Sequence, residues 1–346
     1  MKQIGMGFLL LAVLLTACET DFEVNALWEE TTIVYGLLDQ SIDTQEVVIY
    51  KAFLGEESAY VMAQEADSIF YAEEELEVFL FGLEGTDTLQ SISLDYTLVE
   101  GREEGVFSTE YSVVYTTTEQ LDASLKYHLW IHNVKTGHVV TSNTNLVEPL
   151  DINAGFTDEV TFYKNGEYRD YRLKWESSKY GLIYQPTLRF YYHEKNVNTG
   201  TVVRKHIDWD YPQMYVESNN GNENMEAVFS GQSFYYFVLN GLEENNSLHR
   251  INAKELEDGF PESDYWTGGI DFLFVVGGEE VAQYIEINNL PNLVFQDPPT
   301  YTNIENGVGV FSSRLHASQE GKTLDFLSLK ELSEGDLTED LNFVHP

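Results

Sequence analysis

The chain has one cysteine, Cys18, so no disulfide can form within it. Basic residues are few: 19 Lys and Arg stand against 58 Asp and Glu, for a net charge of -39. Nucleic-acid binding needs clustered Lys and Arg to neutralise phosphates. No such cluster exists, and that class of function is excluded. Proline is scarce at 8, while 43% of residues are hydrophobic and 14% aromatic, enough for packed cores and unlike a disordered stalk. Beyond the first residues no apolar run approaches the ~20 needed for a membrane-spanning helix. The acidity reads best as a halotolerant or marine solubility strategy. A cation-binding surface is the alternative, but charge alone is not a site.

What is present is concentrated at the N-terminus. Lys2 precedes an apolar run from Gly5 to Leu15, the length of the apolar h-region of a secretory signal and too short to span a bilayer. It closes on Leu15-Thr16-Ala17-Cys18, which resembles the lipobox of bacterial lipoproteins. That resemblance implies cleavage before Cys18 and acylation of its thiol and new amine. Burial of acyl chains is worth ~0.8 kcal/mol per methylene, so several chains on one residue make a lasting anchor. The acids of Glu19-Thr20-Asp21-Phe22-Glu23 resemble the surface-export signal of Bacteroidota lipoproteins.

From Thr31 the pattern predicts strands. Thr31–Leu38, Glu46–Tyr50, Leu76–Phe81, Ser91–Val99, Tyr111–Thr117, Lys126–Asn133 and His138–Ser142 are β-branched or aromatic and separated by turn residues. Ser58–Ala66 alone has helical spacing early in the chain. Asn165-Gly166 and Asn198-Thr199-Gly200 predict two hairpins further on, and 217–226 reads as a polar loop. Phe234, Phe237, Val238 and Leu242 share one helical face, with Ser230 as N-cap. Ile270–Val276 runs through Gly277-Gly278 into a second helical pattern, Val281, Tyr284, Ile285 and Asn288, and Val308–Phe311 closes the series.

The fold class expected is mainly β: an N-terminal Ig-like β-sandwich followed by a β-rich α+β domain. The expected divisions are a signal peptide (1–17), a lipidated tether (18–30), the sandwich (31–148), the α+β domain (149–320) and an acidic, partly disordered tail (321–346).

Searches for catalytic chemistry find little. H-E-x-x-H, G-x-x-x-x-G-K-[ST] and G-x-S-x-G are absent from the sequence. Glu279-Glu280 after Gly277-Gly278 suit a helix N-terminus but repel phosphate. His128 and His132 fall some ~13 Å apart on one strand face, too far for one metal. His206, Asp208 and Asp210 could share a cation, though a solvated strand face is the commoner meaning. The oxygen-rich 219–226 stretch lacks the EF-hand order. With 58 acids, a glycosidase-like carboxylate pair arises by chance and is no evidence. Trp209, Tyr211, Tyr265 and Trp266 combine rings with polar neighbours and are the candidate ligand-stacking residues. Core or edge packing is the competing reading of the same four. No metal or cofactor is called for.

Val34-Tyr35-Gly36-Leu37-Leu38-Asp39, Lys51-Ala52-Phe53-Leu54-Gly55 and Asn303-Ile304-Glu305-Asn306-Gly307-Val308-Gly309-Val310-Phe311 look like a group of Bacteroidota envelope lipoproteins, the DUF4249-like class. The order of parts matches as well. This resemblance implies a non-catalytic accessory role at the outer membrane, often beside a TonB-dependent β-barrel receptor, and transfers no catalytic residue. The expectation is therefore a surface-exposed, lipid-anchored binding or accessory subunit. A structural or adhesive surface lipoprotein is the alternative, and an extracellular hydrolase a third.

Overall fold

The computed structural model describes residues 31–52, 66–100, 111–153, 158–256, 268–289 and 300–344. Within them the protein is mainly β, and eight strands form the spine of its largest sheet. These are β1 (Thr32–Asp39), β2 (Gln45–Lys51), β3 (Asp95–Val99), β4 (Ser112–Thr117), β5 (Gly181–Asn196), β6 (Val202–Asp210), β7 (Ile270–Gly278) and β8 (Gly307–Leu324). Their order is β6-β5-β7-β8-β1-β2-β4-β3. Four α-helices accompany them among the described residues: α1 (Ala66–Ile69), α2 (Gly231–Gly241), α3 (Glu279–Asn288) and α4 (Phe326–Glu334).

A second, four-stranded sheet, built from Leu76–Glu84, Asp87–Ser93, Lys126–Asn133 and Val139–Asn145, faces β1, β2 and β4. Alternation explains the pairing: Tyr127, Leu129 and Ile131 point inward, His128, Trp130 and His132 outward. They meet Val34, Leu38, Val47 and Ile49 of the large sheet in one sandwich core. The predicted single strand Ser91–Val99 is two strands in different sheets. Buried Leu94 sits at the corner where the chain crosses between layers.

The second core lies under β5 and β7. Leu188, Phe190, Phe272 and Phe274 pack against Leu173, Trp175, Ala227 and Phe229 of a three-stranded sheet, and against Phe234 and Val238 of α2. That helix buries the expected face, although the Ser230 side chain makes no capping bond. The stretch 217–226 is not wholly a loop, since the strand Asn224–Phe229 begins inside it. Asn165 and Gly166 both take positive φ (56° and 81°) and join Tyr163–Lys164 to Glu167–Tyr168. This is the type I′ conformation that their sequence demands. The second predicted hairpin forms as β5 and β6, with Lys195 opposite Val202.

Two expectations need correction. The division at 148/149 separates two cores but not two sheets. β8 runs parallel to β1 from Gly307 to Arg314 and antiparallel to β7 from Arg314 to Lys322, and Ile304 and Phe311 complete the N-terminal core. Of the expected tail, residues 321–344 are described, and they are not loose. Asp325 caps α4 by accepting from Ser328 N, and Leu329, Leu332, Leu341 and Phe343 are buried in the second core. Acidic composition masked this short apolar spacing. The pin is Arg250, 1% exposed, whose Nε and Nη2 donate to Glu194 Oε1. Its Nη1 donates to the Leu341 carbonyl at 2.7 Å, so a buried cation holds the C-terminal segment down. The helical pattern at 58–65, Phe53-Leu54-Gly55, Cys18, Tyr265 and Trp266 lie outside the described residues.

Candidate binding groove

The outer face of the large sheet carries the candidate site, and α3 builds one wall of it. β7 ends at Gly278 and α3 follows at once, with Glu279 and Glu280 in its first turn, where carboxylates suit the helix dipole. Val281 N donates to Ser312 Oγ (3.2 Å), and Ser312 Oγ donates to Glu280 Oε2 (2.8 Å), tying the helix to β8. Thr144 Oγ1 adds a second donor to that carboxylate at 3.0 Å. Burial raises the pKa of Glu280 despite both hydroxyls, and beside it the Tyr301 phenol is pushed up to about 12, mainly by burial.

Ala282 is the buried residue of α3, small enough to let the helix sit close. Val281, Tyr284 and Ile285 remain half-buried and line a groove of about 780 Å³, floored by Tyr35, Leu37, Val48 and Val310. Tyr284 meets Tyr35 edge-on at 6.4 Å, and burial with the neighbouring Tyr284 hydroxyl raises the Tyr35 pKa. The far wall is the β1–β2 turn, Ile42, Asp43 and Thr44, with Glu46 beyond it.

The turn is a ridge. On its other side a second basin of about 520 Å³ is floored by Leu273, Val275 and Ala317 and flanked by Thr187, Arg189, Asp208, Asp210 and Glu320. Ile42 lines both basins and is 40% exposed between them.

Asp39, wholly buried, fixes the ridge. Its Oδ1 accepts from Ser41 N and Ser41 Oγ, while Oδ2 lies 2.5 Å from His316 Nδ1 and 3.3 Å from Arg314 Nε. Gln45 closes the turn from inside: its Oε1 accepts from Asp39 N, and its Nε2 donates to the Asp39 and Ile42 carbonyls. Among the described residues, Arg314 is the one basic residue lining the first basin, and its charge faces Asp39. Asp43 and Glu46 make no ion pair among the described residues. In the second basin Arg189 holds Asp208 through two 2.7 Å bonds, which lowers the Asp208 pKa.

Of the stacking candidates, the two described ones, Trp209 and Tyr211, line neither basin. Trp209 is the penultimate residue of β6 and packs half-buried on Phe229 and Phe237. The Tyr211 ring lies against Phe229, and its hydroxyl accepts from Val228 N at 3.4 Å. His206 sits by the Tyr191 ring and Asp208 is taken by Arg189, so they do not converge on a shared cation. Asn219, from the oxygen-rich stretch, donates to Glu279. The groove residues missed from sequence had a signal: the spacing of Val281, Tyr284 and Ile285 was legible, but a stripe of that kind reads as core.

Architecture and groove together define a mainly β protein with a two-basin surface on its central sheet. No family model matches the chain, and no curated protein is significantly similar to it. Among solved structures it has a likeness to the C-terminal globular domain of oligosaccharyltransferase from Pyrococcus abyssi, at 12% identity and a TM-score of 0.22. The match covers 60% of this chain and 39% of that one, and so weak a likeness carries no argument.

Proposed function

We propose that the protein is a lipoprotein anchored to the outer membrane through Cys18, acting on the cell surface as a non-catalytic binding or accessory subunit of a TonB-dependent receptor or related envelope complex. The observation that carries this reading is the lone cysteine placed at the end of Leu15-Thr16-Ala17-Cys18. The groove supports the binding half. It is open, largely apolar, and the acid–base pairs beside it serve to hold a turn in place.

Two measurements test the reading. Radiolabelled palmitate should enter the wild-type protein and not Cys18→Ala, and the variant should leave the membrane fraction. Native pull-down from solubilised outer membranes should recover a β-barrel receptor in stoichiometric amount. Recovery of the protein alone, with lipid attached, would favour a structural or adhesive surface role instead.

A further inference from the structure

Resting on the reading of the protein as a binding subunit, we infer that the double basin receives an extended peptide segment of a partner, one that alternates apolar and basic side chains. Shape is the first argument. The two basins lie on one sheet face and share Ile42, so the free surface is elongated and crossed by a single low ridge. A compact ligand would fill one basin; a chain in extended conformation can cross both.

Lining chemistry is the second. Tyr35, Leu37 and Val48 in one basin and Leu273 and Val275 in the other offer apolar floor to alternate side chains of such a chain. Charge is the third. Asp43 and Glu46 stand on the first basin without a cationic partner among the described residues, while Arg314 faces Asp39 and Arg189 is bound to Asp208. What the lining leaves over is negative, on a body of net charge -39. An acidic segment would be repelled, and a purely apolar one would leave the carboxylates unused.

The test uses detergent-solubilised full-length protein and fluorescein-labelled peptides, read by anisotropy. A peptide alternating Leu and Lys should bind, and a matched Leu/Glu peptide should not. Binding should weaken but persist as ionic strength rises from about 0.1 M to about 1 M, where the screening length falls from ~10 Å to ~3 Å. Asp43→Asn with Glu46→Gln should cost at least about tenfold in affinity, and so should Tyr35→Ala. Neutralising Glu84 and Asp87 at the distant turn of the four-stranded sheet should change nothing. Equal binding by a Gly/Lys peptide, or equal loss from the Glu84/Asp87 control, would mean general attraction to an acidic surface and overturn the inference. So would a receptor that co-purifies as fully with the groove variants as with wild type. That last result leaves the accessory role standing, whereas loss of the lipid anchor with peptide binding intact would sink the role and spare the groove.

Discussion

Asp39 and His316 are 277 positions apart in the chain, yet the Asp39 carboxylate lies 2.5 Å from the imidazole Nδ1. The same carboxylate accepts from Ser41, so one buried anion fixes both the β1–β2 turn and its attachment to β8.

Asp39→Ala should therefore be costly. It leaves Ser41 N and His316 without their acceptor and Arg314 without the charge it faces, and opens a buried polar hole. A loss of about 3 kcal/mol is expected from urea unfolding at neutral pH. His316→Gln, whose partner keeps Ser41 and Arg314, should cost well under half as much.

Arg250→Met should destabilise by about 3 kcal/mol, because it takes both guanidinium donors from Glu194 Oε1, leaving that buried carboxylate to Lys205, and frees the Leu341 carbonyl. Hydrogen exchange should show the effect concentrated in residues 335–344.

Glu280 sets a pH dependence of definite sign. Burial raises its folded-state pKa, so the native protein holds that proton more tightly than the unfolded chain does. Its contribution is greatest below the unfolded carboxyl value and is lost as pH rises through the folded value. Glu280→Gln keeps an acceptor for Ser312 and Thr144 without the charge. Thermal melts should show the variant more stable than wild type at pH 8, with the difference shrinking towards pH 4.

Gly309→Ala should disrupt the seam between the two halves. Gly309 has φ of +120°, and a Cβ there would stand 2.0 Å from the Val34 carbonyl oxygen. Both backbone strain and collision oppose the substitution, for an expected cost of about 3 kcal/mol or more, or failure to fold. Circular dichroism melts would register either result.

Much of the fold was legible because period-two alternation is local. Lys126–Asn133 shows it, the Asn/Gly turns carry a signal just as local, and the Phe234 face of α2 shows the helical counterpart, a spacing of ~3.6 residues. What escaped depends on partners far along the chain. The spacing of Val281, Tyr284 and Ile285 says that one face is apolar, not whether a second layer covers it. Leu329 and Leu332 were hidden by the acids around them, and the residue that secures their segment, Arg250, lies some eighty positions earlier. In the sequence Asp39 is only the end of a strand motif, and nothing nearby announces His316. Trp209 and Tyr211 were noticed for their rings, and rings are needed in cores as often as on ligand surfaces.

The long β8 strand has a bearing on how the chain folds as it is made. β1 gains its parallel neighbour only when residues 307–314 have left the ribosome, and the first sandwich keeps an open flank and an unfilled hole until then. Such a chain closes late, because pairings this far apart in sequence are slow to form. It also means that a proteolytic stub ending near residue 148 would be a sticky fragment, not a working half.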